Sequence, residues 1–310
     1  MHDPTAAHVL ISLTQAEWPS ATAPIALPEL DAWCASRRMQ AWGGPREGDS
    51  ATAVETCTAQ ALGLAVQARQ AIPWAAWHAQ RLGLDTALPA ALITPCHWDI
   101  NMTGARMDDP ADLMLSDTDS QALMQALSPW AEEDGIALHW LDATHWLAQG
   151  EVFRDLRGPS PASVAGQALD HLLPEVRQNA EATRLLRRLQ NEAQMLFYSH
   201  PVHDARAAQR LPAVNSIWYH GCGPWTPTQS PAQAVHTHAL RDALRAHDGD
   251  WTAAWQMLAE QAMAHLNAAP QARLLISHAA GAWVWGPEAK PWWQRWGGRS
   301  PGVLETLRCN

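Results

Sequence analysis

With 310 residues the chain is long enough to bury a large core, as one large α/β domain or as two smaller ones. A hydrophobic fraction of 47% against 17% charged residues excludes a disordered chain. The formal net charge of −10, with only the isolated pairs Arg37-Arg38 and Arg187-Arg188, gives no basic stripe for a phosphate backbone, so direct nucleic-acid binding is not expected.

The N-terminal stretch MHDPTAAHVLISL lacks the basic start and long apolar core of a signal peptide, and no apolar run reaches the roughly 18 residues that span a bilayer. The expectation is a cytoplasmic chain without a membrane partner. The cysteines Cys34, Cys57, Cys96, Cys222 and Cys309 are odd in number and include no Cys-x-x-Cys, so they read as reduced thiols rather than a disulfide framework or a zinc ribbon. Trp is used 18 times beside 2 Tyr and 2 Phe, and because each indole N–H needs a partner, many should sit half-buried at element ends.

In chain order, HVLISL (8–13) reads as a strand, 53–69 as a helix and ALITPCHW (91–98) as a second strand, an alternation that points to an α/β layer structure. GIALHWLDATHWLAQG (135–150) reads as two short strands around Asp142, so part of the sheet is antiparallel. VNSIWYHGCG (214–223) and RLLISHAAGAWVWG (273–286) each run a strand into glycine, the second turning back as a hairpin. The expected fold is therefore a mixed sheet flanked by helices. Asp250 caps a helix whose Trp251, Trp255, Leu258, Ala262 and Leu266 recur at the spacing of one buried face. Composition predicts a single domain over 1–310 with a sub-boundary near 151–161, between Pro-rich loops.

The segment RLLRRLQNEAQMLFYSHPVHDAR (184–206) carries the candidate site. At 100° per residue, Arg184, Arg187, Asn191, Gln194 and Tyr198 share one arc, opposite Leu185, Leu186, Leu189, Ala193, Leu196 and Phe197. Arginine, amides and a phenol make directed hydrogen bonds, which suggests that this face meets a ligand; the same groups can instead satisfy a neighbouring strand. Arg188 and Glu192 stand four apart and can pair. Pro201 prevents smooth continuation of the helix and leaves His200, His203, Asp204 and Arg206 in a turn. There Asp204 either tunes His203 as a proton donor or acceptor or caps a short following helix.

The strand VNSIWYHGCG brings Asn215 and His220 to its end, a usual place for ligand contacts in α/β sheets. No phosphate loop and no Gly-x-Ser-x-Gly elbow occurs. The pairs His236-Thr-His238 and Asp142-x-x-His145 lack metal-site spacing and read as structural, and Cys222 beside His220 lacks a third orienting group. His97 and Trp98 leave a strand end and either line a pocket or fill a half-buried corner.

Taken together, Thr94-Pro95 with His97-Trp98, the run from Asp109 to Leu115, RLQNE-x-QML (188–196), HPVHDAR (200–206) and VNS-x-W (214–218) closely resemble the RpfE-type regulatory protein family of proteobacteria. The resemblance implies a divergent alkaline-phosphatase or phosphoglycerate-mutase-like core, because members are commonly labelled cofactor-independent phosphoglycerate mutases. Such mutases use a Ser or Thr nucleophile and two divalent metals just after the first strand. Here that strand ends ISLTQAEWP, where Ser12 or Thr14 stands without the expected acidic ligand and Glu17 is the nearest carboxylate.

The expectation is a regulatory protein that binds a small anionic or phosphorylated ligand, or a regulatory protein partner, without a cofactor. Its pocket would comprise Arg187, Asn191, Gln194, His200, His203, Asp204, Arg206, Asn215 and His220, with His97 and Trp98 beside it. The alternatives are a metal-dependent mutase-like phosphoryl transferase and an interaction module using the Trp-rich tail 287–310.

Overall fold

The computed structural model describes residues 8–12, 25–43, 50–64, 66–67, 70–102, 104–226, 235–269, 271–278 and 281–289. The elements run β1 (His8–Ser12), α1 (Pro28–Ala35), β2 (Arg37–Gly43), α2 (Ala53–Ala61), α3 (Trp74–Arg81), β3 (Ala90–Cys96), β4 (Trp98–Asn101), β5 (Gly104–Met107) and α4 (Asp117–Glu133). They continue with β6 (Ala137–Asp142), β7 (His145–Gln149), β8 (Leu156–Arg157), α5 (Pro161–Val164), β9 (Glu175–Val176), α6 (Ala180–Ser199) and α7 (Pro201–Ala208). Last come β10 (Ser216–His220), β11 (Val235–Ala239), α8 (Leu240–Ala246), α9 (Trp251–Ala268), β12 (Arg273–His278) and β13 (Gly281–Ala289).

The chain is an α/β protein, and it forms two compact units. One is assembled from 1–46, 52–65 and 228–310, the other from 47–51 and 66–227, so residues 151–161 lie inside the second. A unit built from both ends of the chain leaves no single linker whose composition could mark the junction.

The first unit holds a five-stranded mixed sheet in the order β11-β1-β12-β13-β2. β1 pairs in parallel with β11 and β12, while β12 and β13 form the expected hairpin, with Leu275 opposite Val284. One side of this sheet, through Leu274, Ile276, Trp283 and Trp285, meets Leu30 and Trp33 of α1 and the buried face of α9. The other side, through Leu275, Ala282 and Val284, meets Cys57 of α2. Asp250 caps α9 by accepting from the N–H of Thr252 and Ala253; Trp255, Leu258, Ala262 and Leu266 are buried as their spacing predicts, and Trp251 is half-buried. Helix α2 is shorter than the sequence suggests. Gly63 takes a left-handed φ of 75°, and the N–H of Leu64 returns to the Ala59 carbonyl at 2.8 Å, a C-terminal lock that stops the helix.

The second unit is built on a four-stranded antiparallel sheet, order β10-β3-β7-β6. Strand side chains alternate between faces, so Ile93, Trp146, Ala148, Ile217 and Tyr219 turn to one side. There they pack on Leu123 and Leu127 of α4 and on Leu186, Leu189, Ala193 and Phe197 of α6. The opposite side presents Leu92 and Leu147 to Ala75 and Ala79 of α3. Buried indoles find partners: the Trp146 N–H donates to Ser120 Oγ at 2.9 Å and the Trp218 N–H to the Pro159 carbonyl at 2.8 Å. Trp146, Trp218 and Trp255 are fully buried, while Trp74, Trp77, Trp98, Trp140 and Trp251 are half-buried as expected of many Trp.

β10 is an edge strand, and its edge is covered rather than open. Residue 158 passes so close that a Cβ there would stand 2.2 Å from the Tyr219 carbonyl oxygen, which only glycine permits. Gly158→Ala should therefore lower stability by about 1–3 kcal/mol, the usual cost of overpacking, measured as a lower urea midpoint at unchanged slope.

Candidate functional site

Helix α6 starts where Asn179 accepts from the Ala182 N–H at 3.0 Å, and it runs to Ser199 with the two faces its sequence predicts. Its apolar face is fixed on β10 by polar contacts as well. Gln190 donates to the Ile217 carbonyl at 2.6 Å, and the Tyr219 hydroxyl donates to the Leu186 carbonyl at 3.2 Å. Gln190 sits in the middle of the apolar arc, between Leu186, Leu189 and Ala193, and that position is the sequence signal for a half-buried, bonded amide.

The opposite face is different. Arg184, Arg187, Asn191 and Gln194 are exposed, and none of their side chains hydrogen-bonds to another described residue. They neither satisfy a neighbouring strand nor line an enclosed pocket. Tyr198 and Met195, at 75% and 71% exposure, continue this face. Arg188 does not pair with Glu192; it reaches Asp134 at the end of α4 instead.

The turn expected after Ser199 is a second helix. Pro201 takes the first position of α7, where its missing N–H costs nothing. The cap is His200, whose Nδ1 accepts from the Val202 N–H at 3.2 Å, and not Asp204. Asp204 is exposed and makes no hydrogen bond to His203, whose ring lies 5.5 Å from that of Tyr198. No His–Asp couple forms here, because adjacent helical residues point about 100° apart.

Arg206 departs furthest from the expected ligand-binding role. It is 1% exposed and spends its guanidinium on the backbone, donating from Nε to the Pro212 carbonyl at 3.0 Å and from Nη2 to the carbonyls of Pro212 and Leu113. Burial lowers its pKa, against the pull of Asp119 at 3.8 Å. It is a rivet between loops, unavailable to an external anion.

Asn215 is equally occupied, accepting from the Trp98 N–H at 2.7 Å and donating to the Trp98 carbonyl at 3.0 Å. His97 places Nδ1 2.8 Å from the Ala213 carbonyl, and Trp98 packs edge-on to Trp218 at 6.3 Å. His97, Trp98 and Asn215 form the half-buried corner, so the eleven candidate residues do not make one pocket.

His220 belongs to a third group. It is 3% exposed, with Nε2 2.9 Å from Thr94 Oγ1 on the neighbouring strand and Nδ1 enclosed without a partner. Its ring lies 5.8 Å from that of His145. At the β6–β7 turn, His145 Nδ1 stands 3.1 Å from Asp142 Oδ1, and Thr144 donates to the same oxygen from its N–H and its hydroxyl, both at 2.8 Å. Burial would raise the Asp142 carboxyl, but these bonds hold it well below the usual carboxylate range. Burial and the nearby His145 push His78 on α3 down to about 4. Burial, with His145 and His78 alongside, holds His220 well below the ordinary histidine value. Burial also raises the Cys222 thiol, whose Sγ donates to the His220 carbonyl at 3.2 Å, so it is no thiolate nucleophile. In the sequence Asp142 and His145 read only as a structural pair, Thr94 only as part of a motif, and His78 was not singled out, since nothing local shows that separate segments converge.

The phosphoryl-transfer expectation needs convergent metal ligands. Among the described residues no group of three or more His, Cys, Asp and Glu is arranged to hold a metal ion, so the donor set does not fit one. Thr14, Glu17 and the tail from 290 onward lie outside the described residues. Among the described residues no helix is long and apolar enough to cross a membrane.

No family model and no curated protein matches the chain. Among solved structures it is similar to the PH0037 protein from Pyrococcus horikoshii, at 10% identity and a TM-score of 0.47, covering 91% of this chain and 87% of that one. It is also similar to a cofactor-independent phosphoglycerate mutase from Thermoplasma acidophilum DSM 1728, at 11% identity and a TM-score of 0.38, covering 96% of each. Likenesses this distant carry no information about side-chain chemistry.

Two substitutions separate the bonded residues from the free ones. Arg206→Met should cost about 2–4 kcal/mol in urea unfolding, because it strands buried carbonyls. Asn191→Leu should leave the melting temperature near wild type, since surface changes usually stay within about 0.5 kcal/mol.

Proposed function

We propose that this chain is a regulatory protein of the RpfE type whose working surface is the outer face of α6, and that its partner is a protein surface bearing acidic groups. The observation that carries this reading is the row Arg184, Arg187, Asn191 and Gln194, exposed and with no side-chain hydrogen bond to another described residue, on a helix whose other face is packed on the sheet. Directed donors that do no work inside the fold are available to a partner.

A free anionic metabolite suits this face poorly. Small-molecule sites are concave and bury most of the ligand, whereas a single exposed ion pair on a helix surface contributes only about 0–1 kcal/mol. A protein partner covers several side chains at once and excludes water from all of them. Arg, Tyr and Met are the residue types enriched at such contacts, and Arg187, Tyr198 and Met195 supply them here. An acidic partner matches the two guanidinium groups at the N-terminal half of the row.

A photo-crosslinking amino acid at position 191 tests the reading in cells. One dominant crosslinked protein is expected, and the charge reversals Arg184→Glu and Arg187→Glu together should abolish its capture while leaving the melting temperature unchanged. Capture that survives both reversals, or a phosphorylated metabolite that raises the melting temperature of wild type but not of the double variant, would overturn it.

A further inference from the structure

The imidazoles of His78, His145 and His220 come from α3, β7 and β10 and gather on the α3 side of the four-stranded sheet. The groups that face them can be named element by element. α3 contributes Arg81 besides His78; the β6–β7 turn contributes Asp142 besides His145; β3 contributes only the neutral Thr94. His139 lies on the same face farther along β6, opposite Leu147. One carboxylate therefore serves three imidazoles, and it is already bonded to His145.

His220 cannot take a second proton in place. An imidazolium needs acceptors for both ring nitrogens, yet Nδ1 is enclosed without one and the neighbouring rings are themselves basic. The same strand end holds α3. The Gly221 carbonyl accepts from the Ala75 N–H at 3.0 Å, satisfying one of the orphan donors in the first turn of a helix that has no side-chain cap. Cys222 and Gly223 follow directly, and a Cβ at Gly223 would stand 1.9 Å from the Ala71 carbonyl oxygen, so this segment is closed tightly against the approach to α3.

We propose that the imidazole cluster makes the end of β10 and the start of α3 a proton-operated latch: proton uptake by the buried rings releases Gly221, Cys222 and the first turn of α3 from the sheet, while the α6 side stays closed. The α6 side stays closed because Gln190 and apolar packing hold α6 at Ile217 and Tyr219, upstream of the released residues, and none of these contacts titrates in this range.

The sign follows from linkage. A histidine held neutral in the closed state and ordinary in the open one favours closure above pH 6.5, and that preference is lost as pH falls from there towards about 4. Asp142 is held below the ordinary carboxylate value of 3.8, so its stabilising effect is constant across this window.

Hydrogen–deuterium exchange of the full chain at about pH 7.5 and about pH 5, corrected for intrinsic rates, tests the latch. Protection of segments 74–81 and 220–223 should fall roughly thirtyfold from the share of His78 alone, with segments 180–199 and 214–219 unchanged. In His78→Gln, a change at a half-buried helix position, the fall should shrink to the share of His220. It should vanish when His220→Gln is added. Equal protection at both pH values, a uniform loss across all of these segments, or a wild-type response in His78→Gln would each overturn the proposal; the single variant decides even if the double one does not fold.

Discussion

The register of β10 against β3 sets the geometry of the second unit. β10 is buried along its whole length, and its alternation sends Ile217 and Tyr219 to the α6 side and Ser216, Trp218 and His220 to the α3 side. A slip of one residue would exchange the two sets. It would place an imidazole in the apolar layer under α6 and leave the Tyr219 hydroxyl without the Leu186 carbonyl. The Gln190 amide on the Ile217 carbonyl and the close passage of Gly158 over Tyr219 fix that register from outside the strand ladder.

Polar residues in this unit divide by whether their hydrogen bonds are spent. Arg206, Asn215, Gln190 and His97 are spent on carbonyls and N–H groups of loops and strands, where an unmade bond would cost more than a made bond contributes. The outer face of α6 is unspent. The imidazole cluster is intermediate: His145 is bonded through Asp142 and Thr144, while His220 has one nitrogen bonded and one idle. Function is proposed at the unspent and half-spent groups, and stability rests on the spent ones.

Elements that depend on local pattern were legible in the sequence. The two faces of α6, the hairpins at β6–β7 and β12–β13, and the Asp250 cap of α9 all follow from spacing or from one capping residue. The end of α2 at Gly63 and the start of α7 at Pro201 follow from equally local rules, yet the apolar periodicity beyond Gly63 and the clustering of histidines around Pro201 pointed elsewhere. His97 and Trp98 read as either a pocket lining or a half-buried corner, and the choice between them rested on Asn215, 117 residues away from Trp98.

The sequence by itself determined where apolar faces lie, because burial is periodic along the chain and period is a local property. It also determined that α6 carries a row of directed donors. Only the tertiary structure decided what those donors meet. Arg187 and Arg206 have the same side chain on consecutive helices, and one is exposed while the other is enclosed by Leu113 and Pro212. The convergence of His78, His145 and His220 was decided in the same way. Proximity between segments far apart in the chain depends on which strands pair and in what register, and no single segment encodes that.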